Sequence, residues 1–159
     1  RVPIPRLEAD VLTAFQRFQP NVVITFGPGG ITHHPDHLAV YQATTRAFGW
    51  ALARGWGVCQ LYYSAVPPER AAEMNLEDLP DGAPNTLINV AATVPIKIEA
   101  LRLHARHVLD AREFVAQLAE QPQNTATLYR AWPPVPPGTI VTDFCKRPRP
   151  MRASIRLAS

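Results

Sequence analysis

The stretch Val22-Val23-Ile24-Thr25-Phe26, closed by Gly27-Pro28-Gly29-Gly30 and followed by a long helical pattern, constrains this chain more than any other segment. Apolar and β-branched residues in an unbroken run, ended by a Gly/Pro cluster, read as a short buried strand. Pro35 suits the first turn of the helix that follows. Leu38, Tyr41, Thr45, Phe48 and Leu52 are expected to form its inward stripe, with Gly55 as a C-terminal cap. In sheets of this kind ligands gather at the carboxyl ends of strands, in the loops leading to helices. Here that loop carries His33-His34-Pro35-Asp36-His37.

The neighbouring segments extend the pattern. Leu7, Val11, Phe15 and Phe18 recur at helical spacing, and Pro20 stops that helix. Val58 to Tyr63 reads as a second buried strand, Pro68 to about Met74 as a short polar helix, and Thr86 to Val90 as a third strand. Two more helices are expected from Ile96 to Val108 and from Asp110 to Glu120, the first with Ile98, Leu101, Ala105 and Val108 facing inward. Strands alternating with helices predict an α/β fold, a Rossmann-like and mostly parallel sheet flanked by helices. From Pro122 to Pro150 there are seven prolines, a density that argues against long helices and central strands. That region is expected to be an irregular, extended arm with at most a helical turn near Leu128. The expected organisation is therefore a partial α/β domain over residues 1–121, followed by a Pro-rich arm and basic tail over 122–159.

Charge and cysteine usage narrow the function classes. The net charge of +3 sits in the tail: Lys146, Arg147, Arg149, Arg152 and Arg156 fall in a stretch without Asp or Glu. The remainder carries more acidic than basic residues, so no folded basic face for nucleic acid is expected. Cys59 and Cys145 lack any C-x-x-C spacing, which excludes a cysteine zinc site and a disulfide framework. Cys59 is expected to be a small core residue, and a reducing cytoplasm the natural compartment. No apolar run approaches the roughly 20 residues that cross a bilayer. Arg1-Val2-Pro3-Ile4-Pro5 has no initiator Met and reads as the middle of a longer chain.

The histidine run admits several chemistries. A helix amino terminus disfavours a protonated imidazole, which keeps His37 neutral and fit to ligate a metal. Asp36 can accept from an imidazole nitrogen of His34, fixing its tautomer. A phosphate-binding loop is a poor alternative: the position of a third fingerprint glycine holds Thr32, and Pro28 removes an amide donor. Incidental polar surface is the other alternative, because H-x-x-x-H pairs are common.

The whole string from Pro20 to Val40, with Gly27-Pro28-Gly29-Gly30 and His34-Pro35-Asp36-His37 at its centre, resembles the second signature of the PIG-L/LmbE-like N-acetylglucosaminyl deacetylases. Gln60 to Pro67 looks like the family's next strand, and Lys97 to His104 resembles its Lys-x-x-Ala-Leu-x-x-His helix, so the similarity runs from about Leu7 to Phe114. The resemblance implies zinc-dependent hydrolysis of an N-acetyl group on an amino-sugar conjugate. It implies His37 as a Zn2+ ligand, His34 as the group that stabilises the oxyanion and helps protonate the leaving amine, and Asp36 as the residue that orients His34. Zinc in that family lowers the pKa of a bound water that attacks the amide.

Three departures accompany it. The family's first signature, His-Pro-Asp-Asp-Glu, which supplies the other two ligands and the general base, does not occur in this sequence. The chain is therefore expected to be an incomplete portion, inactive by itself. His33 stands where the family has a glycine, and Arg106-His107 where it has Ser-Gln, leaving His104 expected as a structural histidine. Two rival readings stay open: a non-catalytic sugar- or nucleotide-binding protein of the same fold, and a metal-binding surface module using His33, Asp36 and His37.

Overall fold

A computed structural model describes residues 2–73, 76, 82–105, 115–116, 118–120 and 123–144. The chain opens with helix α1 (Ile4–Phe18), begun by Pro3 and Pro5 and ended where Gln19 turns left-handed and returns its amide to the Phe15 carbonyl. Strand β1 (Val22–Phe26) follows, then a distorted turn, α2 (Gly30–His33), and the long helix α3 (Pro35–Ala53). Strand β2 (Gln60–Ser64), helix α4 (Pro68–Glu73), strand β3 (Thr86–Asn89), a 3-10 turn (Ala91–Thr93), helix α5 (Val94–Ala105) and strand β4 (Thr125–Trp132) complete it.

The strand order is β1-β2-β4-β3. β1 and β2 pair in parallel, with Thr25 opposite Tyr63 and Phe26 opposite Ser64. β4 lies antiparallel between β2 and β3, so β3 still points the same way as β1 and β2. The α/β class therefore holds, but the expectation of a mostly parallel sheet is corrected: two of the three pairings are antiparallel. The strand that makes the difference comes from the segment expected to be an irregular arm. Pro122 and Pro133 bracket Thr125–Trp132 without entering it, and the eight residues between carry the β-branched and aromatic side chains of a strand. Proline density measured over the whole region hid a proline-free window. A stretch farther on also joins the sheet margin, where the Leu87 amide donates to the Val141 carbonyl.

The core sits between α1, α3 and one face of β1–β2, with Phe15, Val23, Ala47, Phe48, Ala51, Val58 and Leu61 buried together. At the end of α1 Phe18 is 68% exposed. The stripe expected on α3 is displaced in part. On α3 the buried residues are Ala43, Thr44, Ala47, Phe48 and Ala51, because this helix is covered by α1 as well as by the sheet. Its small residues let α1 and the sheet approach closely around Phe48, while Leu38, Tyr41 and Leu52 are half-buried. Cys59 is half-buried just before β2. On α5, Val94 is buried and Ile98 and Leu101 half-buried, in line with the expected face. The helix expected from Asp110 to Glu120 lies mostly outside the described residues, as do the basic tail, Cys145, Arg106 and His107.

Candidate active site

Phe26 ends β1, and the chain must then reverse into α3 within a few residues. Gly30 does so at φ +56°, a left-handed conformation, and a Cβ there would lie 3.0 Å from the Cβ of His37. Ile31 (φ 64°, ψ −59°) and His33 (φ 56°) adopt positive φ without being glycine. The first is close to a γ-turn geometry, which is strained for a β-branched residue. The second supplies a physical reason why a glycine suits the position that His33 occupies.

This reversal aims main-chain polar groups at the histidines. His37, in the first turn of α3, donates from Nδ1 to the Gly30 carbonyl oxygen at 2.9 Å. A carbonyl can only accept, so Nδ1 carries a proton, and in the neutral tautomer with that proton the Nε2 lone pair is left for another partner. The ring is also clamped against Phe26, with centroids 3.8 Å apart and planes 7° from parallel. His37 is thus half-buried and rotationally fixed.

His34 is the N-cap of α3. Its Nδ1 accepts the Asp36 amide hydrogen at 3.2 Å, the same service that Asn or Ser performs at other helix starts. With Nδ1 accepting, the neutral ring carries its proton on Nε2 and is a donor on its outer side. The two imidazoles lie with centroids 4.9 Å apart. The sequence therefore places His34, Asp36 and His37 together, and the structure differentiates the two rings: one leaves an Nε2 acceptor, the other an Nε2–H donor. Asp36 engages His34 through its main-chain amide, and its carboxylate is exposed on the first turn of α3 beside an apolar groove formed with Ile4, Leu7 and Leu38. His33 is exposed. His104 falls within α5, with its side chain outside what is described.

The donor set bears on metal binding. Among the described residues no group of three His, Cys, Asp or Glu side chains could hold a metal ion, so they do not fit a complete zinc centre by themselves. His37, with its ring fixed by Gly30 and Phe26, has the geometry of a single ligand. Sequence reasoning missed Phe26 and Gly30 as parts of this site. Phe26 was visible only as the end of a strand, and a carbonyl oxygen is common to every residue until the backbone aims it.

Residues 1–48 match the family model described as PIG-L: GlcNAc-PI de-N-acetylase. The chain is similar to the 1D-myo-inositol 2-acetamido-2-deoxy-alpha-D-glucopyranoside deacetylase of Kineococcus radiotolerans, at 33% identity over 63% of this chain and 36% of that one. The enzymes of the same name in Mycolicibacterium smegmatis and Rhodococcus jostii are 31% and 29% identical, covering 57% and 64% of this chain and 38% and 43% of theirs. The chain thus spans well under half the length of these curated relatives. The resemblance read from the histidine run holds as a similarity: residues 1–48 match the PIG-L model, and the similar curated proteins are named as deacetylases.

Proposed function

We propose that the complete polypeptide carrying this sequence hydrolyses the N-acetyl amide of an amino-sugar conjugate, in the cytoplasm, with Zn2+ held jointly by His37 and donors outside the described residues. The observation that supports this most is the pairing of two differently tautomerised imidazoles at one strand end. His37, fixed by Gly30 and Phe26, keeps Nε2 as a lone pair for a metal. His34, fixed by the helix it caps, keeps Nε2–H as a donor for an oxygen that becomes negative during amide cleavage. Passing a proton on to the departing amine requires His34 as the imidazolium, so that a neutral ring is left behind. Zinc would supply Lewis-acid activation in such a site. Asp36 sets the position of His34 through the first turn of α3. Because no three-donor group accompanies His37 among the described residues, the chain by itself is proposed to be inactive.

The test uses the complete polypeptide with an N-acetylglucosaminyl-inositol substrate, following acetate release and bound zinc. Wild type is expected to bind about one zinc and to turn over. His37→Ala should lose the metal, while His34→Ala should keep it and lose roughly 100-fold or more in turnover. Equal zinc in wild type and His37→Ala would sink the ligand assignment. A complete polypeptide that binds the sugar without zinc or acetate release favours instead the non-catalytic sugar-binding reading, which the lack of a three-donor group among the described residues keeps alive.

A further inference from the structure

Two consecutive tyrosines on β2 meet different fates. Tyr62 is fully buried on the face away from α3, where its hydroxyl donates to the Gln60 side chain and its ring meets Phe144 edge-on. Tyr63 points to the opposite face and is only half-buried, although it stands at the centre of an aromatic row. Tyr41 of α3 packs edge-on to it (5.5 Å, 77°), and Tyr129 of β4 lies nearly parallel to it (6.5 Å, 16°). Its hydroxyl shares a hydrogen bond of 3.3 Å with Thr45, which pins the ring. Tyr41 and Tyr129 are half-buried as well.

This row adjoins the histidine site. Tyr41 is four residues beyond His37, one turn along the same side of α3. Tyr63 is the register partner of Thr25 and shares its face of the sheet, one residue short of the strand end where Phe26 stacks on His37. Gly82 backs the far end, where an added Cβ would lie 3.4 Å from the Tyr129 ring. Three phenol rings left partly open to water, beside a fixed imidazole pair, present what a sugar ring needs: flat apolar faces for its C–H side and a polar edge for its hydroxyls. Aromatics serving only the core would be closed off like Tyr62.

We propose that Tyr41, Tyr63 and Tyr129 form the wall against which the pyranose ring of the substrate lies, with Tyr63 as the specificity-determining residue. This rests on the deacetylase reading and extends it to substrate placement. Burial raises the Tyr63 phenol above its ordinary range, so this ring is uncharged at neutral pH.

Steady-state kinetics of the complete polypeptide on an N-acetylglucosaminyl conjugate tests it. Tyr63→Leu, which removes the aromatic face, should raise KM about tenfold with kcat within about twofold, while Tyr63→Phe stays within about threefold of wild type in both. Tyr129→Leu should act in the same direction and serves if Tyr63→Leu does not fold. A purely structural role would lower the melting temperature without this KM-against-kcat split. Unchanged KM in a folded Leu variant of an active enzyme overturns the wall and leaves the deacetylase reading standing. A wild type that releases no acetate overturns both.

Discussion

The geometry around Gly30 shows how much of this site hangs on single backbone angles. Its left-handed φ and the 3.0 Å clearance to the His37 Cβ mean that an alanine there would be strained and would also press on the imidazole it is meant to orient. Gly30→Ala is expected to lower stability by roughly 1–2 kcal/mol, read as a drop in melting temperature, and to cut turnover by displacing His37. His33 shows the opposite sign. It sits at φ 56° with its side chain exposed, so His33→Gly should raise the melting temperature slightly without loss of activity. A fall in stability for His33→Gly would mean that its imidazole makes a contact worth more than the relieved strain.

At the level of elements, β2 links the core to the site through alternation. Leu61 faces α1 and α3, Tyr62 the opposite face, and Tyr63 the aromatic row. Burial raises both phenols above the ordinary 10.0, more than Arg130 offsets it for Tyr62 or Thr45 for Tyr63. The unfolded phenols then ionise first as pH rises. The stability held by the neutral rings is complete below about pH 10 and is lost as pH climbs through the folded values. Melting temperature followed from about pH 8 to about pH 11 should fall at the alkaline end, and Tyr62→Phe should flatten part of that fall. An equal slope in the variant would assign the transition to other groups. Helix α3 was legible from Pro35 in its first turn and from its length, but its buried side was not. Hydrophobicity ranks Leu38 and Tyr41 above Ala43 and Ala47, whereas close packing on two sides selects the alanines.

Across the whole molecule β4 is the decisive element. It joins β2 to β3, and its Arg130 amide donates to the Asn85 side chain while the Asn85 amide donates to the Leu128 carbonyl. A polypeptide ending at residue 121 would strand β3 away from the sheet and expose the edge of β2. Such a truncation is expected to lose cooperative thermal unfolding by circular dichroism. Retention of the full-length midpoint would show instead that the domain closes at residue 121. No helix among the described residues is long and apolar enough to cross a membrane.

Sequence alone determined the local order: strand β1, the glycine loop, the Pro-initiated helix and the histidine run at their junction, because each is written in residues a few positions apart. It also carried the PIG-L resemblance, since that signature is contiguous. Tertiary structure decided what depends on distant partners. Whether Thr125–Trp132 becomes a strand depends on β2 and β3 offering it two edges. Which imidazole nitrogen is free depends on a Gly30 carbonyl and an Asp36 amide that the backbone turns toward the rings. The nature of Tyr63, neighbour to a wholly buried tyrosine yet open to water, depends on which face of the sheet α3 covers.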